Sequence, residues 1–152
     1  MGAKNSITRL AITGNTRLTL ESMKQIKKLK KYDIVCVFGI KDEKSKNKVN
    51  YVSLDGFCRD NKIFLDKTED WESFYAYCLE ESIDMIITLG DSRIIPKKIT
   101  NAFKVIGNHG AILPDVQGGA SLVWGRMLNS GEWGISIMKI EEKVDSGDIL
   151  KI

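Results

Sequence analysis

The feature that most restricts this chain is an alternation of short apolar, β-rich runs with stretches of helical period. Arg9 to Thr13 reads as a first strand and is followed by a Gly14-Asn15 turn. Leu20, Met23, Ile26 and Leu29 then recur every three residues, with Lys24, Lys27, Lys28, Lys30 and Lys31 around them. That is an amphipathic helix with a solvated basic face. Ile34 to Gly39 is wholly apolar up to its closing glycine, as expected of a strand buried on both faces of a parallel sheet. Residues 41–49 form a charged loop, Ser53 to Asp60 a short helix and Ile63 to Leu65 a small strand. Trp71, Phe74, Cys78 and Leu79 mark one face of a further helix, and Met85 to Leu89 a strand before Gly90. Lys97 to Ala102 begins just after Pro96, a residue suited to a first helical turn. Val105 to His109 reads as a strand, Gly119 to Asn129 as a helix and Gly134 to Ile140 as a strand. A β-α-β-α order predicts an α/β fold with a doubly wound, mainly parallel sheet, and such sheets place ligands at the C-terminal ends of their strands.

No repeat or linker interrupts this order, so residues 1–152 are read as a single domain. The chain ends two residues beyond a Gly-Asp-Ile-Leu run without a closing helix, which suggests a domain shortened at its C-terminus. No apolar run approaches the roughly 18 residues that span a bilayer. The net charge of +3 is too small to argue for nucleic acid or an anionic membrane, yet it would not repel an anionic substrate. Cys36, Cys58 and Cys78 are widely spaced among apolar neighbours, the pattern of buried free thiols in a reducing cytoplasm. One histidine and scattered cysteines supply no zinc cluster.

Two segments are candidates for chemistry. His109 lies where an apolar strand meets glycine, with Gly107, Gly110, Gly118 and Gly119 around it and Pro114 between. There a backbone can approach a ligand closely. The second is Val144-Asp145-Ser146-Gly147-Asp148, whose Asp-Ser-Gly core is also good turn chemistry. Periodicity does not bring the two together. The turn after the first strand has Arg17 where a dinucleotide fingerprint needs glycine, and no Walker lysine motif is present.

The spacing of motifs carries more. His109-Gly110-Ala111-Ile112-Leu113-Pro114, then Gly118, Trp124, Gly134-Ile135-Ser136 and Asp145-Ser146-Gly147-Asp148-Ile149-Leu150 follow one another in an order that resembles the core of the folate-dependent formyltransferases. Leu89-Gly90-Asp91-Ser92-Arg93-Ile94-Ile95-Pro96 resembles the segment of that family that lines the pterin pocket. The resemblance is strong over about 65 residues and diffuse from residue 9 onward.

The resemblance implies a Rossmann-like sheet, 10-formyltetrahydrofolate as formyl donor and a catalytic asparagine, histidine and aspartate. His109 and Asp145 match the last two. The asparagine position holds Gly107, and Asn108 comes one residue later. Neighbouring strand residues point to opposite faces, so Asn108 serves only if the strand bulges or ends before it. The pterin is expected on backbone groups of Leu89, Gly90, Asp91, Ser92 and Arg93 and of Glu141, Glu142, Lys143 and Val144. A small-molecule amine, such as an amino-sugar nucleotide, is the favoured acceptor. Methionyl-tRNA is the alternative. Gly107 also allows a folate-binding homologue without catalysis, and a hydrolase that passes the formyl group to water is a third reading. Trp124 is expected to pack in the core.

Overall fold

A computed structural model describes residues 7–127, 131 and 133–152. The chain divides into two compact units, Met1–Ile94 and Ile95–Ile152.

The first unit contains β1 (Thr8–Thr13), α1 (Arg17–Ile26), β2 (Tyr32–Phe38), α2 (Asp42–Ser45), α3 (Asp55–Asp60), β3 (Phe64–Asp66), α4 (Trp71–Glu80) and β4 (Met85–Thr88). β2 pairs with both β3 and β1, and β1 with β4, all parallel. The ladder between β1 and β2 slips between Leu10 and Ala11, so Val35 is an extra residue in β2. The slip flips the alternation of β2. Ile34 and Val37 join Ile12, Met23, Leu54, Cys58 and Ile63 in one cluster, under α1 and α3. Phe38 instead stacks on Phe74 of α4, with ring centroids 4.5 Å apart. Helices thus cover both faces, and residues that a strict two-residue period would place together separate onto two cores.

α1 begins at Thr16, whose hydroxyl accepts from the Thr19 amide while the Thr16 amide donates to the Thr19 hydroxyl. This reciprocal cap satisfies two amides that the first turn leaves unpaired. The helix ends at Ile26, so Leu29 lies beyond it and is 48% exposed. Cys36, Cys58 and Cys78 are buried and unbridged. Burial pushes the Cys58 thiol up to about 11, and contact with Cys78, reinforced by burial, pushes the Cys36 thiol up further.

The second unit contains α5 (Lys97–Ala102), β5 (Lys104–His109), α6 (Ser121–Met127), β6 (Ser136–Lys139) and β7 (Ile149–Lys151). β5 pairs with β6 and β6 with β7, both antiparallel. β7 was not expected: three exposed residues carry too short a pattern to read. The expected helix 119–129 is realised as α6, and its final residues lie outside the described ones. Trp124 is 53% exposed, so it does not pack in the core as expected. The architecture is α/β and Rossmann-like, with the pairings inside the first unit parallel and those inside the second antiparallel. Among the described residues no helix is long and apolar enough to cross a membrane.

The charged 41–49 segment is not a bare loop. It carries α2, and Lys67 Nζ anchors it by bonding Asp42 and Asp55, each at 2.7 Å. Desolvation disfavours the Lys67 charge, but these two carboxylates outweigh it and raise its pKa. The Lys67 and Ser53 hydrogen bonds hold Asp55 below the usual carboxylate range. The Lys67–Asp55 pair is therefore intact at neutral pH, and weakens as pH falls through the lowered Asp55 value or rises through the raised Lys67 value. Lys67→Met should free the segment at a cost of about 1 kcal/mol or less, since these pairs are partly exposed. Limited trypsin digestion checks it: cleavage at Lys44, Lys46 and Lys48 should accelerate, and an unchanged rate would show that Lys67 is not the anchor.

Candidate functional site

The candidate site is built where β5 ends. Val105, Gly107 and His109 are buried on one face of the strand, while Ile106 and Asn108 are half-buried on the other. The β5–β6 register runs without interruption through Gly107↔Met138, Asn108↔Ile137 and His109↔Ser136. Neither condition that would turn Asn108 toward His109 is met, because the strand does not bulge and does not end before it. By alternation Asn108 faces away from His109. The residue beside His109 on its own face is Gly107, which has no amide side chain to offer.

Beyond β5 the backbone is gathered by Ser136. Its buried hydroxyl donates to Ala111 O at 2.9 Å and accepts from Leu113 N at 3.0 Å. The turn continues with Val116 N bonding Ile112 O at 3.2 Å. This brings the Val116 carbonyl to His109 Nε2, at 2.7 Å.

Asp145 approaches from the other end of the unit. Its φ is +54°, in the left-handed region that Asp tolerates better than most residues. Three local contacts fix this loop. Ser146 Oγ donates to Lys143 O at 2.8 Å, and Lys139 N donates to Asp148 O at 3.0 Å. Gly147 lies against β6, where any Cβ would collide with the Lys139 carbonyl. The result places Asp145 Oδ1 3.3 Å from His109 Nδ1, with the two side chains 14% and 9% exposed. The second oxygen, Oδ2, accepts from Gly118 N at 2.8 Å. Two loops that sequence could only nominate separately are thus joined through one carboxylate.

Each imidazole nitrogen faces an oxygen acceptor, so a ring donating to both carries two N–H protons. The 3.3 Å separation is longer than a tight charge-assisted bond. The arrangement can hold a proton on the ring, with a carboxylate behind it to stabilise the charge.

Residues 8–151 match the family described as Formyl transferase. The chain belongs to this family. A methionyl-tRNA formyltransferase of Bacillus cytotoxicus is 42% identical over 78 residues, 50% of this chain and 25% of that protein. One of Fusobacterium nucleatum subsp. nucleatum is 28% identical over 151 residues, 93% of this chain and 47% of its own length. The chain therefore spans less than half the length of these curated relatives. The solved phosphoribosylglycinamide formyltransferase from Anaplasma phagocytophilum superposes with a TM-score of 0.79 at 19% identity, covering 95% of this chain and 70% of that one. That likeness speaks to the fold.

The other expected residues lie in two places. In the first unit, Gly90 has φ +65° and packs so closely on Thr16 that a Cβ would overlap its hydroxyl oxygen. Leu89 O accepts from Thr19 Oγ1 at 2.6 Å. Asp91 and Arg93 bond each other, and Ser92 is exposed. In the second unit, Glu141, Glu142, Lys143 and Val144 are exposed, and Glu142 pairs with Lys97 at 2.7 Å. Sequence reasoning did not find the Val116 carbonyl or the Gly118 amide. Both are backbone groups, which residue identity does not advertise. Ser136 was visible only as part of a matched motif.

Ser136 is fully buried, so its loss leaves a buried carbonyl and amide without their partner. Ser136→Ala should lower unfolding free energy by about 1–3 kcal/mol. Urea denaturation measures this, and a midpoint equal to wild type would mean the hydroxyl does not organise the turn.

Proposed function

We propose that this chain carries the formyl-transfer centre of a 10-formyltetrahydrofolate-dependent enzyme whose acceptor is a primary amine on a small molecule, for instance an amino-sugar nucleotide. The observation that carries the reading is the contact of His109 Nδ1 with Asp145 Oδ1 at the C-terminal end of β5. Family membership supplies the one-carbon chemistry. The three buried, unbridged thiols support a cytoplasmic setting.

The amine nitrogen attacks the formyl carbon, a carbon–nitrogen bond forms and the carbonyl electrons move onto oxygen. Protonated His109 donates from Nε2 to that oxyanion. For this the Val116 carbonyl must leave Nε2. Asp145 holds the imidazolium at Nδ1 and takes up the proton lost by the amine, directly or through water. Collapse of the adduct breaks the bond to N10 of the folate, which departs with the proton that Asp145 took from the amine, so amine and donor become formamide and tetrahydrofolate. Leu89 to Arg93 is the segment of the first unit proposed to receive the pterin.

The missing asparagine has a price in rate. Loss of one oxyanion donor slows such reactions by roughly 100- to 1000-fold, and Gly107 stands where that donor is expected. His109→Ala and Asp145→Asn should each remove nearly all transfer. Gly107→Asn places an amide on the face of His109 and should raise turnover, whereas Asn108→Ala should stay within a few-fold of wild type. A fast Asp145→Asn enzyme, or an Asn108→Ala enzyme as slow as His109→Ala, would overturn these roles.

A second reading, methionyl-tRNA as acceptor, is favoured by the 42% identical relative. Single-turnover reactions with 10-formyltetrahydrofolate separate the readings. Formylated amino-sugar nucleotide or glycinamide ribonucleotide supports the small-amine acceptor, and formylated methionyl-tRNA supports the second. Formate released without any amine marks a hydrolase. Folate binding with no transfer marks a homologue without catalysis.

A further inference from the structure

Arg93 lies in the polar turn after β4, in a segment proposed to receive the donor. Its guanidinium is engaged by its own chain. Nε donates to Asp91 Oδ1 at 3.0 Å. One terminal nitrogen donates to Gly39 O at 2.7 Å. The other donates to Phe38 O at 2.9 Å and Asp91 Oδ2 at 2.6 Å. The cation also lies 4.4 Å from the Phe38 ring centroid and 5.3 Å from that of Trp71. The Asp91 side chain is 2% exposed and that of Arg93 18%. The Arg93 amide closes the same turn by donating to Asp91 Oδ1 at 3.1 Å.

These contacts all lie within the first unit, and they tie the turn after β4 to the C-terminal end of β2. Phe38 and Gly39 each present a backbone carbonyl, and only a planar fork with several donors reaches both while gripping a carboxylate. The aromatic faces exclude water from the cation and strengthen each bond.

We infer that Arg93 is a positioning residue: with Asp91 it fixes the backbone of Leu89 to Arg93 in the shape that receives the pterin, and it does not itself bind the donor's glutamate carboxylates. This rests on the proposed folate-dependent reading of the site. A guanidinium already bonded to a buried carboxylate and two carbonyls has little to gain from a ligand carboxylate. Releasing it would strand Asp91 as a buried, unpaired charge.

The test compares two probes by calorimetric titration, 5-formyltetrahydrofolate and 5-formyltetrahydropteroate, which lacks the glutamate. Arg93→Ala should weaken both alike, by about tenfold or more, as expected for removal of charge-assisted bonds that shape a site. Asp91→Asn should weaken both in the same sense. Arg93→Lys carries the test if the alanine variant does not fold, and it too should lose affinity for both probes, because a point charge cannot bridge Asp91 and two carbonyls. In the Arg93 variants KM for the donor should rise by a larger factor than kcat falls. A loss confined to the glutamate-bearing probe would make Arg93 a direct ligand and overturn the inference, as would unchanged affinity for both. If the wild-type chain binds neither probe, the folate-dependent reading itself fails first.

Discussion

Everything the second unit offers to chemistry depends on how one carboxylate divides its two oxygens. Asp145 Oδ2 is bound by the Gly118 amide, and Oδ1 is thereby left facing the imidazole of His109. Without the first bond the side chain could rotate, and the second would be one rotamer among several. The carboxylate also links two loops separated by 27 residues, so ordering either one orders the other. Burial strengthens this linkage, since hydrogen bonds gain where water is scarce. The left-handed backbone at Asp145 adds local strain, which is sustained by the close seat of Gly147 on β6 and by the bond from Lys139 N to Asp148 O.

The order of strands and helices was legible because burial imposes a period on residue type, and most expected elements were realised within a residue or two. What the period could not carry was the slip at Val35. A bulge alters which face a residue meets without altering its composition, so Ile34 and Phe38 looked like neighbours and are not. Leu29 kept the helical spacing beyond the point where α1 ends, since nothing in three-residue spacing distinguishes a helix from the turn that follows it. Lys67 is a further case: its reach to Asp42 and Asp55 depends on chain path, and no local pattern announces it.

The site was legible in a different way. His109 and Asp145 were singled out by glycine-rich settings and by the order of motifs, and the structure joins them. The status of Asn108 turned on one structural question, whether β5 is regular, and the uninterrupted register answers it. The partners that finish the site, the Val116 carbonyl and the Gly118 amide, are main-chain groups that every residue possesses. Only the folded path selects them, which is why no reading of side-chain types reaches them.

On the proposed reading, this geometry has to change before transfer can occur. Nε2 would meet the developing oxyanion, and here the Val116 carbonyl holds it. That bond would have to be exchanged for one to the substrate. An interaction present in the ground state and absent in the transition state raises the barrier by its own strength. An asparagine amide at position 107 would have offset part of that cost by adding a bond formed only as charge develops, but Gly107 supplies none. On the proposed reading the exchange at Nε2 has to be driven by the binding of substrate. Substrate binding and the freeing of His109 are on this view one event, and an imidazole released without substrate would have only water to protonate.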